Sequence, residues 1–414
     1  MDALTTSSNW QRVRLGDIAE IIGGGTPSTQ ITSFWNGSIN WFTPTEIGIT
    51  KYVYKSQRTI TPLGLKKSSA KLLPIGTILL TSRASIGDCA ILKVVATTNQ
   101  GFQSLIPLEK INNEFLYYLM LTLKNKLLKL ASGSTFLEVS PNKIKNLLIP
   151  LPPLNEQIAI ANILSDVDHY LYSLDALILK KESVKKALSF ELLSQRKRLK
   201  GFNQNWQKVR LGDIGITISG LVGKTKQDFI NGNAKYITFL NVLNNVIIDT
   251  SILENVKIYP NEKQNFFKKY DLFFNTSSET PKEVGMCAVL LDDIDQVFLN
   301  SFCFGFRIFD KAVDSLFLSY LINSEIGRKA FENLAQGSTR YNLSKSGFNN
   351  VCLFLPPLNE QIAIANVLSA LDSEIISLKN KKRQFDNIKK ALNHDLMSAK
   401  IRVLKNKFYN KNKT

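Results

Sequence analysis

The chain has 414 residues, of which 44% are hydrophobic, so it can bury at least two cores, given that domains usually run to roughly 100–200 residues. Its net charge of +18 and isoelectric point near 9.6 call for a polyanionic partner, and nucleic acid, an anionic membrane and an acidic protein all qualify. The four cysteines stand apart, which excludes the usual zinc-ribbon and disulfide spacings.

The N-terminus carries Asp2 and lacks the apolar run of a signal peptide. Elsewhere no stretch approaches the ~18 apolar residues that a membrane span needs. These features predict a soluble, unprocessed, cytoplasmic protein without a membrane partner.

The next segment is the first copy of an internal repeat. WQRVRLGDI at Trp10–Ile18 returns as WQKVRLGDI at Trp206–Ile214, and LPPLNEQIAIAN at Leu151–Asn162 recurs unchanged at Leu355–Asn366, 204 positions later. Chance does not produce twelve identical residues, so the whole domain plan is duplicated. Between these anchors the copies differ, which suggests two modules that share a frame and read different targets.

Each copy begins with a globule, residues 1–153 in the first and 201–357 in the second. Short β-like runs such as Cys89–Leu92 are broken by Gly, Pro, Ser and Asn turns, which predicts a mixed α/β fold. Cys89 and Cys287 occupy matching places, and we interpret both as small buried strand residues without chemistry.

A long helix completes each copy, residues 154–200 in the first and residues 358–414, with a basic tail, in the second. The first begins after Pro152-Pro153, with Asn155 as its cap. Apolar residues then alternate at spacings of four and three, the pattern of a coiled-coil seam. The seam residues are Ile160, Leu164, Val167, Leu171, Leu174 and Ile178, then Ile364, Leu368, Leu371, Ile375 and Leu378, and after Lys382 also Phe385, Ile388, Leu392 and Leu396.

Neither helix has a partner nearby in sequence, so the simplest arrangement packs them on each other across a pseudo-two-fold axis. The expected fold class is α+β: two mixed α/β globules joined by two long antiparallel coiled-coil helices, with a pseudo-two-fold internal repeat. A helix of about 40 residues spans ~60 Å at 1.5 Å per residue, a little under two turns of B-DNA. Such a spacer would act as a ruler.

Net charge is concentrated at the ends of these helices. Residues 176–200 carry +6 and residues 379–414 carry +10, so the globules are close to neutral. Lysines late in a helix also complement its dipole. The pattern fits salt-sensitive attraction to DNA phosphates or contact with an acidic partner subunit, and both stay open.

The doubled LPPLNEQ followed by a heptad helix, each after a globule that opens with W-x-x-x-x-L-G-D-I, resembles the specificity subunit of type I restriction-modification systems. The resemblance covers nearly the whole chain, and the GGTPS and WNG motifs within Gly24–Trp41 look like a common form of that family's target recognition domain. It implies target recognition domains at 1–153 and 201–357, and conserved spacer helices at 154–200 and 358–414.

In that family each target recognition domain reads one half of a bipartite, gapped DNA site, and the helices set the gap. The resemblance therefore implies a non-catalytic subunit with no cofactor or metal of its own. It would bind double-stranded DNA and direct two methyltransferase subunits, which use S-adenosylmethionine, and two restriction subunits, which use ATP and Mg, to that site. The implied partner and spacer residues are Leu154, Glu156, Gln157, Ile160, Leu164, Leu358, Glu360, Gln361, Ile364 and Leu368.

Base readout in a major groove uses Arg or Lys for guanine, Asn or Gln for adenine, and Ser or Thr as general partners. Loops rich in these residues supply the DNA-contact candidates, although any one of them also suits an ordinary turn or cap. The first globule offers Thr26, Ser28, Thr43, Thr45, Ser82, Arg83, Ser85, Gln100 and Thr135. The second offers Lys224, Lys226, Asn241, Asn275, Ser277, Ser278, Lys282, Thr339, Arg340 and Tyr341.

Other interpretations are weaker. Gly223-Lys224-Thr225 imitates the end of a phosphate-binding loop, but Ile218 holds the required earlier glycine position. A self-sufficient methyltransferase would need a glycine-rich cofactor loop and an Asn-Pro-Pro-aromatic string, and the chain has neither. The alternative that stays open is a scaffold whose basic helices bind an acidic protein without contacting bases. Which bases are read, and how many pairs separate the halves, sequence does not specify.

Overall fold

The structure is a computed structural model that describes residues 10–133, 137–332, 334 and 341–403. The chain divides into two compact units: Met1–Asp175 with Asn380–Thr414 form unit 1, and Ala176–Lys379 form unit 2. The first long helix, Leu154–Leu193, and the second long helix, Leu358–Met397, each contribute to both units. Each unit therefore combines one globule with segments of two helices.

Unit 1, in its described part, contains a five-stranded sheet, a three-stranded sheet and a two-stranded ribbon. Across the five-stranded sheet the order is Ala19–Gly23, Gln103–Pro107, Ile78–Leu80, Cys89–Leu92 and Tyr52–Val53. Across the three-stranded sheet it is Arg58–Ile60, Trp35–Phe42 and Ala96–Thr98. The ribbon pairs Gln11–Arg14 with Leu148–Leu151. The shorter helices are Pro62–Lys66, Asn113–Leu130 and Pro141–Lys145, with 3-10 turns at Leu15–Asp17, Thr32–Phe34 and Pro44–Glu46. Phe115 and Tyr118 of the 18-residue helix share one buried core with Ile78 and Ile91 of the larger sheet.

Unit 2 repeats this plan with a four-stranded sheet, a three-stranded sheet and two ribbons in its described part. Across the four-stranded sheet the order is Gly215–Ser219, Cys303–Ile308, Leu272–Asn275 and Cys287–Val289. Across the three-stranded sheet it is Glu254–Val256, Ala234–Ile237 and Phe298–Leu299. The ribbons pair Gln207–Arg210 with Cys352–Leu355 and Ser277–Ser278 with Tyr341–Asn342. The shorter helices are Leu211–Ile214, Phe239–Asn244, Ser315–Asn323, Glu325–Glu332 and Lys345–Asn349, with 3-10 turns at Lys226–Phe229, Thr250–Ile252 and Pro281–Glu283.

The repeated W-x-x-x-x-L-G-D-I segment closes each globule. Its strand pairs antiparallel with the strand that leads into LPPLNEQ, with Gln11 opposite Leu151 in unit 1 and Gln207 opposite Leu355 in unit 2. The repeat thus marks the place where a globule closes and a long helix begins.

Within each unit the two long helices run antiparallel. Residue numbers rise along one helix as they fall along the other in the ion pairs Asp168–Lys389 and Asp175–Lys382 of unit 1 and Lys181–Glu374 and Glu182–Lys379 of unit 2. The predicted seam is buried at Ile160, Leu164, Leu171, Leu174, Ile178, Ile364, Leu368, Ile375 and Leu396. The predicted fold class, with mixed α/β globules and antiparallel coiled-coil helices in an internal repeat, is confirmed.

A tyrosine ties each globule to both helices. In unit 2 the Tyr320 hydroxyl donates to Asp372 at 2.7 Å, and Asp372 in turn pairs with Lys185 of the first long helix. Burial, and then the bond to Asp372, hold the pKa of Tyr320 well above its ordinary value, so the hydroxyl stays a donor at neutral pH. Unit 1 repeats the arrangement with Tyr118, Asp168 and Lys389.

One residue of the predicted seam is misplaced. Ile388 is 51% exposed, because the helix beyond Lys382 turns Phe385 towards Tyr170, with 4.6 Å between ring centres, and Lys389 towards Asp168. The polar residue Lys382, which pairs with Asp175, interrupts the seam. The seam resumes beyond it, because Leu392 packs against the core of unit 1 and Leu396 is buried.

The second long helix also corrects an expectation about membranes. It contains an 18-residue window with a mean hydropathy of 1.3, so by length and composition it would pass for a membrane span. Its apolar residues Ile364 and Leu368 lie in the core of unit 2, and its Asp372 is ion-paired with Lys185. We interpret it as a core helix of the coiled coil.

Candidate nucleic-acid interface

Four loops adjoin where strands of unit 1 end, and we call them the loop cluster of unit 1: residues 24–28, 43–46, 82–85 and 99–101. Three backbone hydrogen bonds tie them together: Gly25 N to Thr98 O at 2.9 Å, Asn99 N to Phe42 O at 3.0 Å, and Ser82 N to Gly101 O at 2.8 Å. Because backbone groups make these bonds, the frame tolerates changes in the side chains it carries.

Two tryptophans hold the first of these loops. Trp41 Nε1 donates to the Gly25 carbonyl at 2.8 Å, and Trp35 Nε1 donates to the Ser28 carbonyl at 3.0 Å. Gly25 leaves no space for a side chain, since a Cβ there would lie 2.3 Å from the backbone nitrogen of Ala70. The GGTPS motif therefore forms a loop, and the tryptophans of the WNG region hold that loop in place.

The structure brings together all eight candidates of the first globule that it describes. Thr26 donates its hydroxyl to Gln100, 74 residues away in sequence. Thr45, Ser85 and Gln100 are exposed at the loop tips, whereas Thr43 caps the turn at Pro44–Glu46. The other members of the cluster are Ser28, exposed; Ser82, buried; and Arg83, paired with Glu138 at 2.8 Å.

Unit 2 has the same frame in the same order, and its loop cluster comprises residues 220–224, 238–241, 276–279 and 300–302. The equivalent bonds run from Leu221 N to Leu299 O at 2.8 Å, from Asn300 N to Ile237 O at 3.0 Å, and from Thr276 N to Phe302 O at 2.9 Å. Asn99 and Asn300 each accept a hydrogen bond from the backbone N–H two residues on, at 2.8 and 2.9 Å. The frame is kept, and the residues at its tips change.

Unit 2 holds its first loop by other contacts. Gln264 donates to the Val222 carbonyl at 2.7 Å and accepts from the Val222 N–H at 3.1 Å. Lys224 donates to the Lys257 carbonyl at 2.6 Å and pairs with Glu262, leaving only 4% of its side chain exposed. Its ammonium group holds the pKa of Glu262 below the usual range. Lys224, predicted to contact DNA and weighed as part of a phosphate-binding loop, instead anchors this loop.

Two predicted base-contact residues are fully buried. Asn241 donates to the Asp249 carbonyl at 2.9 Å and accepts from the Asp249 N–H at 3.0 Å. Asn275 donates to the Glu283 carbonyl at 2.8 Å and accepts from the Met286 N–H at 2.7 Å. A base edge cannot reach either amide in this state, so both residues have a folding role in place of the predicted one.

The remaining candidates of the second globule differ in their exposure to solvent. Ser277 and Ser278 are buried in the ribbon with Tyr341–Asn342, where Ser278 lies opposite Tyr341. Lys226 and Lys282 are exposed, each in a 3-10 turn beside the loop cluster. Thr135, Thr339 and Arg340 lie outside the described residues.

Sequence reasoning missed most of the last loop in each cluster. Asn99 and residues 300–302 were not among the candidates, although TNQG and NSF each place an asparagine directly after a strand. It also missed Arg58, whose guanidinium lies 3.8 Å from the ring centre of Trp35.

The glutamates of the two LPPLNEQ motifs, predicted to contact partners, are buried. Glu156 accepts from Trp10 Nε1 at 3.2 Å and from Arg402 at 3.3 Å. Glu360 accepts two bonds from Arg198, at 2.6 and 2.5 Å. Each arginine follows the long helix of the other copy, so each glutamate joins the start of one long helix to the segment that follows the other.

The glutamines of the motifs anchor the helix starts. Gln157 donates to the carbonyls of Pro152 and Lys110, at 2.9 and 3.1 Å, and accepts from Asn112 N at 2.8 Å. Gln361 makes the same three bonds with Pro356, Ala312 and Asp314. With Ile160, Leu164, Ile364 and Leu368 also buried, most of the predicted partner residues instead stabilise their own unit.

Other residues of the twelve-residue motif stay at the surface. Ile158 and Asn162 in the first copy, and Ile362 and Asn366 in the second, are exposed and share one helix face at a spacing of four. Leu154 is exposed and Leu358 partly so, one turn earlier. Folding does not account for the identity of these positions.

Burial raises the pKa of the Cys89 thiol to about 12, and the pKa of Cys287 is raised by the same cause. Both are therefore protonated at neutral pH, as the buried-strand interpretation expects. Among the residues that the structure describes, no three His, Cys, Asp or Glu side chains are grouped as metal ligands would be.

A family model for the type I restriction modification DNA specificity domain matches the chain twice, at residues 7–181 and 203–385. The chain belongs to this specificity family. Each match spans one globule with its loop cluster and part of a long helix, so the duplicated frame is a duplicated specificity domain. As a type I specificity subunit, the chain serves DNA sequence recognition.

Specificity subunits from Methanocaldococcus jannaschii are similar in sequence. The MjaIX subunit is 31% identical over 66% of this chain and 68% of its own length. The MjaVIII subunit is 26% identical over 97% of this chain and 95% of its own length. A crystal structure of a type I restriction-modification S subunit from M. genitalium shares the fold, with a TM-score of 0.59 at 18% identity over 95% of this chain and 97% of that one.

Proposed function

We propose that this specificity subunit reads a bipartite, gapped DNA target, one half through each loop cluster, and directs the methyltransferase and restriction subunits of a type I complex to it. The observation that carries the proposal is the repeated frame, in which equivalent backbone bonds hold loops with different tips. Two readers with different tips recognise different half-sites, and two helices of fixed length set the number of unread pairs between them.

In this proposal the exposed residues of the clusters, and of the turns beside them, contact bases and phosphates. In unit 1 these are Thr45, Ser85 and Gln100, with Thr26 beside Gln100. In unit 2, Lys226 and Lys282 suit phosphate or guanine. Basic residues that make no ion pair across the described helices, such as Lys186 and Lys390, add attraction that depends on salt and not on sequence.

The exposed faces of the two LPPLNEQ helices support the proposal that two copies of one partner bind, one on each face. Because Ile158 and Asn162 recur as Ile362 and Asn366, the same surface is presented once per unit. We assign it to two methyltransferase subunits, with two restriction subunits joining the assembly. In this proposal the chain is not an enzyme and works in the cytoplasm, while its partners bind S-adenosylmethionine, ATP and Mg.

Single-molecule methylation mapping tests the proposal in cells that carry this gene with its methyltransferase gene. We expect a two-part motif with a fixed gap, lost from cells that lack only this gene. The double variant Thr26→Val/Gln100→Ala should alter the bases of one half and leave the other half and the gap unchanged. Gln57→Ala, an exposed glutamine of unit 1 outside the loop cluster, is the matched control and should change neither.

Two results would contradict the proposal. Methylation that is unchanged without this gene, while the partner is expressed and active, would favour a scaffold that binds an acidic protein. A motif without a gap would remove the spacer role from the helices.

A further inference from the structure

At three positions the tips of the unit 2 loop cluster are apolar where those of unit 1 are polar or small. The shared backbone bonds place Val222 at the position of Thr26 and Phe302 at the position of Gly101. Thr43 and Thr238 cap equivalent turns, which places Leu240 at the position of Thr45. Val222, Leu240 and Phe302 are 66%, 63% and 54% exposed.

These three side chains lie on loops that adjoin. Leu221 N bonds Leu299 O, and Asn300 N bonds Ile237 O, so the loops that carry Val222, Phe302 and Leu240 share one hydrogen-bonded frame. Gly220 lies so close to this frame that a Cβ there would be 2.3 Å from the Asn300 carbonyl oxygen. Exposed apolar side chains on hydrogen-bonded loops, inside a cluster proposed to read DNA, suit an apolar feature of DNA.

The major groove presents one such feature, the 5-methyl group of thymine, which apolar side chains contact in direct readout. We infer that unit 2 recognises thymine methyl groups in its half-site, with Val222, Leu240 and Phe302 as specificity-determining residues. Unit 1, with Thr26, Thr45 and Gln100 at its tips, reads its half by hydrogen bonds. The inference rests on the proposed function, because it requires that the unit 2 cluster faces DNA.

The test uses the complex of this chain with its methyltransferase subunit and duplexes that carry the mapped target. Each thymine in turn is replaced by deoxyuridine, which removes only the methyl group, and the Kd is measured at one fixed salt concentration. We expect single replacements in one half to weaken binding roughly three- to five-fold, the value of one buried methyl group, and replacements in the other half to have little effect.

Variants connect the effect to the named residues. Val222→Thr, Leu240→Thr and Phe302→Gly give unit 2 the residues of unit 1, and each should abolish the deoxyuridine effect at its own base pair. Phe354→Thr, an exposed phenylalanine outside the loop cluster, is the control and should keep the wild-type sensitivity. Thermal unfolding should be similar in all four variants, since exposed substitutions rarely change stability much.

Three outcomes would overturn the inference while the proposed function stands: a gapped target with no deoxyuridine effect in either half, a half-site of G·C pairs alone, or loop variants that bind with wild-type sensitivity. Variants that no longer assemble with the methyltransferase would show that the apolar tips dock that partner instead. A complex without a gapped target would overturn the proposed function itself.

Discussion

Gly25 and Gly23 differ sharply in the space around them, although both lie in the glycine run that opens the first loop. A Cβ on Gly25 would meet backbone atoms of Ser69 and Ala70 at 2.3–2.5 Å, which cannot move without displacing the chain. A Cβ on Gly23 would lie 3.7 Å from the side-chain amide of Gln103, an ordinary contact. One glycine is thus required by packing and the other is not.

Gly25→Ala should therefore lower the free energy of unfolding by roughly 1–3 kcal/mol, the usual cost of overpacking, and loosen the loop that carries Thr26. Gly23→Ala should change it by less than about 0.5 kcal/mol. Urea denaturation followed by tryptophan fluorescence measures both, since Trp35 and Trp41 contact this loop. Equal stability of the two variants would show that the close approach to Ala70 is relieved at little cost.

Tyr320 gives a prediction about pH. Tyr320→Phe removes the bond to Asp372 and should lower stability by roughly 1–2 kcal/mol at pH 8. Because the folded-state pKa of Tyr320 is raised, this stabilisation is fully present below the unfolded pKa of about 10 and is lost as pH rises towards the folded value. The difference between wild type and variant should therefore shrink above pH 10, whereas exposed Tyr172→Phe should show neither effect. A difference that stays constant with pH would disprove the linkage.

At the scale of elements, the start of each long helix is fixed by one glutamine. The Gln361 amide bonds three backbone groups, at 3.0, 2.8 and 2.9 Å, from two segments of the globule. These bonds tie the first turn of the helix to Pro356, which precedes it, and to the segment at Ala312–Asp314, so this side chain fixes the junction between globule and helix.

Gln361→Leu should cost roughly 2–4 kcal/mol of unfolding free energy, because it leaves buried backbone groups without partners. Asn366→Ala, an exposed change in the same motif, should cost less than about 0.5 kcal/mol and should instead weaken binding of the methyltransferase. Chemical denaturation and a pull-down with the partner separate the two effects. Equal losses of stability would mean that Asn366 also supports the fold.

The elements were the part of the structure that sequence predicted best. A heptad pattern reports burial directly, so the seam from Ile160 to Ile178 was foreseen. The composition of the loops selected Thr26 and Gln100 as candidates, although it did not show that the two loops adjoin. Sequence failed where burial depends on how a loop folds back on itself: Asn241 and Asn275 resemble surface readers but bond buried backbone groups eight residues further on. The partnership of Glu156 with Arg402, 246 residues away, has no local signal.

For the whole molecule, the decisive feature is that unit 1 needs both ends of the described chain. Leu396 and Met397 belong to the core formed by the first globule, and Asn393 donates to the Tyr118 carbonyl at 3.2 Å. Unit 2, in contrast, is drawn from the single continuous segment Ala176–Lys379.

A chain that ends at Lys379 should therefore lose the fold of unit 1 and keep that of unit 2. Limited trypsin digestion with mass spectrometry should show rapid cleavage within residues 10–153 and a resistant fragment near residues 176–379. The isolated fragment 176–379 is the matched control and should resist digestion equally. A protected first globule in the shortened chain would show that the second helix is not needed for its fold.

The two identical copies of LPPLNEQIAIAN, 204 residues apart, also give the gene two places at which it can recombine with itself. A genetic crossover between them would delete one repeat, keep the reading frame and leave a short protein with the first globule and one hybrid helix. That helix would lack the antiparallel partner on which Tyr118 and Glu156 depend, so the product would regain it only from a second molecule of its own kind. Under the proposed function, such a pair would read the same half-site twice in opposite orientations, and a lineage would thereby exchange an asymmetric specificity for a palindromic one in a single event.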